Sequence, residues 1–275
     1  LIHGPDVVPM AAYHAAPGIS KSGLDLAART VDKLLCPPPR PESPPDHFAF
    51  GSAVNDAILM PDEFVRRYRR APECGKRSKA EKEAWGEAQE EARAEGAVLI
   101  PTDLYQAALE WRDAAYSHPK LRSILDGAKR REVTVVWEDE TGLLCRCRPD
   151  ILTDSGNVID IKSARNGEWG AFRAAVFGCR YYLSAAFTAT GVERVTGHAP
   201  GYVFAVLDKG LRPAPESIAF YQLDEDFRLR GLDEARRDLE RLAGYLSAAD
   251  RGDALAWAGY PQDIQLISYS RGASA

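Results

Sequence analysis

Cysteine, methionine and histidine are scarce in this 275-residue chain, at five, two and five residues respectively. The cysteines show no repeated spacing, so the sequence does not describe a disulfide framework, and a reducing cytoplasm is the expected compartment. No apolar run approaches the roughly 18 to 20 residues of a membrane span, so no membrane partner is expected. The stretch Leu1 to Ala16 lacks a charged region followed by an apolar one, and secretion is not indicated. Glycine-rich phosphate loops are missing, which argues against a nucleotide cofactor. The histidines, at positions 3, 14, 47, 118 and 198, form no ligand-spaced pair. An excess of positive charge is lacking too: 35 Lys and Arg stand against 40 Asp and Glu, a formal charge of −5. On totals alone nucleic acid is a poor candidate partner. What is present is ordinary for a folded protein, with 45% apolar and 27% charged residues, which excludes a disordered or collagen-like chain.

Ser20 precedes KSGLDLAART, where Leu24, Ala27, Ala28 and Val31 fall at helical spacing, and a serine there caps a first turn. Pro37, Pro38, Pro39, Pro41, Pro44 and Pro45 then exclude helix and predict a stiff, extended connector over residues 36–46. A second helix is expected from Asp46 until Pro61, with Phe50, Val54, Ala57 and Ile58 on one stripe and Asn55 at its edge. Positive charge concentrates next. Residues 64–82 hold Arg66, Arg67, Arg69, Arg70, Lys76, Arg77, Lys79 and Lys82 against Glu73 and Glu81, a local charge of +6. Lys79 to Gly96 reads as a solvated, charge-laced helix, and Thr102 to Ser117 as an amphipathic one.

The pattern changes near Arg131. REVTVVWEDE, a Thr141-Gly142 turn, LLCRCRPDIL, a DSGN turn at 154–157 and VIDIKSA read as three consecutive strands of an antiparallel meander. Trp169 to Thr190 reads as helix, Tyr202 to Asp208 and Ser217 to Leu223 as strands, and Asp226 to Ala249 as a long charged helix. The expected architecture is a single α/β domain over residues 19–275. Residues 19–128 would be its helical N-terminal part and 129–275 its sheet-containing core, after a flexible segment at 1–18.

Side chains alternate across a strand, so residues of one parity share a face. That places Arg146, Arg148 and Asp150 together, with Cys145 and Cys147 opposite, and sets Asp160 beside Lys162 on the next strand. If the strands pair through the DSGN turn with polar faces aligned, Asp150, Asp160 and Lys162 converge. Carboxylates completed by water and substrate phosphate are what Mg²⁺ prefers, and such an ion activates water for attack on phosphorus. Lys162 would hold that water or offset charge on the phosphate oxygens. Glu132 and the main-chain carbonyl of Ile161 are further candidate ligands. Taken alone, an acid-x-Lys triplet more often describes a solvated, salt-bridged strand face than a catalytic one.

ISKSGLDL at Ile19 to Leu26, FGSAVNDAILMPDEF at Phe50 to Phe64, CRCRPDIL and VIDIKSA, in this order and spacing, resemble the exodeoxyribonuclease VIII (RecE-like) group of PD-(D/E)XK nucleases of phage origin. The resemblance extends from Ile19 to the C-terminal YPQDIQLISYSR. It implies a mixed central β-sheet flanked by helices. The activity it implies is Mg²⁺-dependent, with Mn²⁺ as a substitute: 5′-to-3′ digestion of linear double-stranded DNA inside a bacterial host cell. A single-strand annealing protein would be the recombination partner and a ring-like homo-oligomer the assembly. By the match, Asp150 and Asp160 would be metal ligands, Lys162 the catalytic lysine and Glu132 an accessory acid. The sequence departs from the family where a metal-binding His is usual and Asn55 stands instead, and where a Gln and a Tyr are usual and Ser184 and Thr188 stand. A carboxamide oxygen can still ligate Mg²⁺, so Asn55 stays a candidate ligand. The competing expectation is a catalytically degenerate homologue that only binds DNA or a protein partner.

No second cysteine pair accompanies Cys145 and Cys147, so a zinc site is not expected and buried strand thiols are. No cysteine follows Cys179, which excludes the four-cysteine iron–sulfur staple of related nucleases. Arg146 and Arg148, Arg66, Arg67, Arg69, Arg70, Lys76, Arg77 and Lys79 are the candidate DNA-backbone contacts, with Lys120, Arg122, Lys129, Arg130 and Arg131 as a second basic cluster. Trp137, Trp169, Tyr181 and Tyr182 are candidates for base stacking, against core packing. The −5 total therefore hides a segregated pattern that suits one DNA channel and not a DNA-coating surface.

Overall fold

The computed structural model describes residues 2–4, 8–35, 46–73, 78–128 and 130–251. The proline-rich connector at 36–45, Lys76 and Arg77, Lys129 and the C-terminal YPQDIQLISYSR lie outside these. The first strand, β1 (Ile2–His3), and the first helix, α1 (Met10–Ala15), fall in the segment expected to be flexible. β1 finds its main-chain partners on an edge strand of the core. Helix α2 (Lys21–Arg29) begins where Ser20 accepts a hydrogen bond from the amide of Gly23, as the capping signal predicts. It is followed by α3 (Val31–Leu35), α4 (Asp46–Leu59), α5 (Pro61–Arg67) and β2 (Tyr68–Arg70). Next come α6 (Lys79–Ala94), β3 (Val98–Ile100), α7 (Thr102–Ser117) and α8 (Pro119–Gly127). α4 and α7 are where their apolar spacing puts them. β2, β3 and α8 had no comparable signal, and β2 and β3 form a small parallel pair of their own.

The sheet-forming half comprises β4 (Arg130–Arg131), β5 (Thr134–Glu138), β6 (Leu144–Cys147), β7 (Ile151–Leu152), β8 (Val158–Ala164), β9 (Tyr202–Asp208) and β10 (Ile218–Tyr221). Two helices, α9 (Trp169–Gly178) and α10 (Tyr181–Thr196), cross from β8 to β9, and α11 (Glu225–Asp250) closes the described chain. The main sheet runs β10-β9-β8-β7-β4, mixed because β8 and β9 are parallel while the other pairs are antiparallel. A second sheet runs β1-β5-β6. The mixed α/β architecture flanked by helices is as expected.

The meander is not continuous. CRCRPDIL is split: β6 pairs with β5 in one sheet, and β7 pairs with β8 in the other. Pro149 supplies no amide hydrogen, and the break at Arg148 to Asp150 lets the chain change sheets. The expected helix from Trp169 to Thr190 is also two helices. Arg180 sits between them with a left-handed φ of 51°. Its guanidinium offsets that strain by meeting Asp25 at 3.1 Å, Glu234 at 2.9 Å and Asp238 at 3.0 Å, tying α2 and α11 to the α9–α10 corner.

The parallel register sets two faces on the main sheet. Ile159 and Ile161 with Ala205 and Leu207 pack against Ala53, Val54, Ala57 and Ile58 of α4 and against Trp111 of α7. Val158, Phe204 and Val206 pack on the opposite side with Phe172, Leu183, Phe187 and Leu239. Asp160 and Lys162 share the parity of Val158 and so lie on the α10 side. Close packing of α10 on α11 depends on Gly231, where a Cβ would lie 2.5 Å from the Tyr182 carbonyl oxygen and 2.7 Å from the Ala186 Cβ. Gly231→Ala is therefore expected to destabilise by roughly 1–3 kcal/mol in denaturant unfolding. Gly244→Ala, on the same helix with open space around it, should stabilise by about 0.5–1 kcal/mol.

Candidate active site

The bend between β6 and β7 puts Asp150 next to β8. β7 is only two residues long and its pairing with β8 ends at Ile151 opposite Ile159. One step further along β8, the amide of Ile161 has no strand partner on that edge and donates instead to Asp150 Oδ2 at 2.6 Å. In an extended strand the N–H and C=O of one residue point to the same edge, so the Ile161 carbonyl also faces the Asp150 side. Asp160, 6% exposed, receives Lys162 Nζ on Oδ1 at 2.5 Å and the Tyr202 hydroxyl on Oδ2 at 3.0 Å. Lys162 also lies 5.4 Å from the centre of the Tyr181 ring. The three residues singled out by strand parity thus meet, although Asp150 reaches the cluster from a bend and not from a strand.

Electrostatics follow from burial. Removal from water, followed by the neighbouring Asp160 charge, pushes the Asp150 carboxyl well above its usual range. Burial opposes the Lys162 ammonium, but Asp160 and Asp150 outweigh it and the net shift is upward. The Tyr202 phenol is raised by burial and then by the two carboxylates, so it remains a hydrogen-bond donor. A divalent cation would relieve the repulsion between the two acids. The donor set of Asp150, Asp160 and the Ile161 carbonyl is all oxygen, which fits a hard ion that completes its shell with water. Among the described residues no group of three or more His, Cys, Asp or Glu stands close enough to hold a metal.

Beside Asp150 opens a cleft of about 1010 Å³. Asn55 and Asp56 of α4, Glu132, Arg148 and Asp150 line one side, Trp85, Gln89 and Arg93 of α6 another, and Tyr13 of α1 a third. Glu132 takes a left-handed φ of 50°, with its amide donating to the Asp150 carbonyl at 2.9 Å. Burial pushes its carboxyl up to about 7 against the lowering influence of Arg148, whose Nε donates to Glu132 Oε2 at 3.0 Å. Asn55 and Glu132 therefore share the cleft with Asp150, while Asp160 and Lys162 are not part of its lining.

Several basic residues sit otherwise than their exposure in sequence implies. Arg146 is 9% exposed, and among the described residues its Nε and Nη1 are buried without a hydrogen-bond acceptor. Arg148 is held by Glu132 and donates to the Val8 carbonyl at 2.9 Å. Both guanidinium groups lie over the Tyr13 ring, at 5.1 and 5.5 Å, so α1 covers the arginine pair that strand parity placed beside Asp150 as candidate DNA contacts. Arg67 pairs with Asp56 at 2.7 Å and Arg69 with Glu95 at 2.8 Å. Arg70 lies over the Tyr105 ring, and Arg66 and Lys79 are exposed beside Glu63 and Glu83. Cys145 and Cys147 are buried, with thiols pushed up to about 12 by burial. Trp137 packs on Phe187 in the core and Tyr182 bonds Glu234, whereas Trp169 is 68% exposed.

Sequence reasoning missed Asp56, Tyr68, Tyr202 and Trp85. Asp56 adjoins Asn55 and accepts from the Tyr68 hydroxyl at 2.8 Å as well as from Arg67. Tyr202 becomes visible only once β9 is set parallel to β8, since the register places it on the face of Asp160.

The sequence profile of a family described as "PDDEXK-like domain of unknown function (DUF3799)" matches residues 27–251. The fold is similar to that of a crystal structure described as a "Putative exonuclease" from Eubacterium rectale. The TM-score is 0.57 at 13% identity, over 86% of this chain and 82% of that one. A fainter likeness links 56% of the chain to 68% of SSO0001, at 18% identity and a TM-score of 0.29. No curated protein matches the sequence.

A raised folded-state pKa means that Glu132 contributes stability below its unfolded value near 4.5, and loses it as pH rises through about 7. Arg148 limits that loss. Arg148→Ala should destabilise the chain by roughly 3–5 kcal/mol, and chemical denaturation should find the penalty larger at pH 8 than at pH 5.

Proposed function

The chain belongs to the PDDEXK-like family, and from that premise we propose that it is a Mg²⁺-dependent deoxyribonuclease acting on linear double-stranded DNA. One observation carries this reading: the Ile161 amide holds the Asp150 carboxylate beside Asp160 and Lys162 in a site with oxygen donors only. A buried acid, a second acid at the cleft wall and a half-buried lysine have no core-packing purpose that an apolar trio would not serve better. Mg²⁺ (or Mn²⁺), where these residues hold it, would supply an activated water and polarise the scissile phosphate.

The chain's own groups have separable tasks. Asp150 and Asp160 would hold the ion, with the Ile161 carbonyl and, from the cleft side, Asn55 or Glu132 as further oxygen donors. The Tyr202 hydroxyl orients Asp160. Lys162, whose Nζ donates to Asp160 Oδ1 at 2.5 Å, would steady the attacking water or the phosphate oxygens. Glu132, with a carboxyl near neutrality, can accept or return a proton at working pH. Arg67 and Arg93 in the cleft are the phosphate contacts this geometry favours over the covered Arg146 and Arg148. Digestion from an end, 5′-to-3′ polarity, service to phage-type recombination with an annealing protein, and a ring-like assembly are parts of the proposal that rest on the RecE-like resemblance.

A second reading has its own support. Both Asp160 oxygens are already engaged, by Lys162 and Tyr202, as in a silent homologue that binds DNA or a protein. Incubation of linear duplex DNA with Mg²⁺ separates the two. Wild type should degrade it, with Asp160→Ala and Lys162→Ala each slower by roughly a hundredfold or more. Equal residual turnover in all three proteins would contradict catalysis at this site. Asn55→His is expected to raise the rate, because an imidazole restores the reach and basicity that the carboxamide lacks.

A further inference from the structure

Helix α6 contributes little to the core. Of its 16 residues only Ala92 is buried, and Glu81, Ala84, Trp85 and Ala88 complete a half-buried stripe at helical spacing. Polar contacts fix both of its ends. Ser78 and Glu81 form a reciprocal capping box at the start. At the other end Glu95 meets Arg69 at 2.8 Å, and the Ala97 amide donates to the Ala92 carbonyl at 2.7 Å before β3 begins. A helix anchored in this way but packed so sparsely stands as an arm along the cleft.

Trp85, Gln89 and Arg93 recur every four residues on that arm, and all three line the cleft that contains Asp150 and Glu132. Successive members are offset by about 6 Å along the helix axis. The trio supplies an aromatic face, an amide and a guanidinium, which match a base, a base edge and a phosphate. Arg67 lines the same cleft, paired with Asp56 at 2.7 Å. Side chains can stack only on a base whose face is open, and in a duplex interior each face is covered by its neighbours. The occupant is therefore an unpaired strand.

We propose that α6 is a single-strand clamp, in which Trp85 stacks on an unpaired base, Gln89 meets a base edge and Arg93 holds the backbone of a DNA strand leading to Asp150. The clamp deepens the nuclease reading and rests on it for the direction of the strand, but its test does not depend on cleavage.

Fluorescence anisotropy in EDTA, with a fluorescein-labelled single-stranded oligonucleotide and a blunt duplex as probes, reads the clamp directly on the full chain. Wild type should prefer the single strand. Trp85→Ala should weaken single-strand binding about tenfold or more, and Trp85→Phe should stay within about threefold of wild type, because an aromatic face remains. Arg93→Ala should lower the slope of log affinity against log salt by about 0.7. Wild-type affinity in Trp85→Ala, equal losses in Trp85→Phe and Trp85→Ala, or no oligonucleotide binding by wild type would each overturn the clamp. Hydrolysis of bis(p-nitrophenyl) phosphate by wild type with Mn²⁺ reports separately on the chemistry. Turnover without the binding pattern sinks the clamp alone, and the binding pattern without turnover sinks the nuclease reading alone.

Discussion

The hydrogen bond from the Ile161 amide to the Asp150 carboxylate is the constraint around which the site is organised. It exists because β7 stops after two residues, leaving one main-chain donor of a central strand without a ladder partner. A buried amide must find an acceptor, and Asp150 is the acceptor within reach. The bond draws one carboxylate, half-buried at the wall of the cleft, toward another, and loss of water with mutual repulsion drives the Asp150 carboxyl upward. Lys162 and Tyr202, on the same sheet face as Asp160, hold the second acid. A cluster so arranged is costly as a fold element and well suited to a divalent ion.

Around it the chain changes sheets. Pro149 breaks the run that would otherwise carry β6 straight into β7, and the same break turns Arg148 toward Glu132 and sets the Glu132 amide on the Asp150 carbonyl. The break therefore brings the cleft-facing acid and the acid pair together. Helix α1 then closes over Arg146 and Arg148 with both guanidinium groups against the Tyr13 ring, which leaves α4 and α6 as the exposed walls of the cleft.

Much of this was legible in the residues, and the failures have physical causes. Ser20 marked a helix start because its hydroxyl satisfies a free amide, and α4, α7, β9 and α11 followed from periodicity. Asp160 and Lys162 shared a face by parity alone. The helix break at Arg180 was hidden because its left-handed turn is stabilised by Asp25, Glu234 and Asp238, residues 155 to 54 positions away or nearly so. The burial of Arg146 and Arg148 was hidden for a similar reason: alternation assigns a face but does not say what covers it. Tyr202 and Trp85 depend on strand register and on the placement of α6, neither of which a single sequence encodes locally.

Titration of the metal-free protein with Mn²⁺, followed by electron paramagnetic resonance at pH 6 and pH 8, tests the paired-acid site most directly. Bound Mn²⁺ in the wild-type chain, tighter at pH 8 because Asp150 must give up its proton first, and its loss in Asp160→Asn are the results the paired carboxylates predict. Identical Mn²⁺ binding by wild type and Asp160→Asn at both pH values would contradict them.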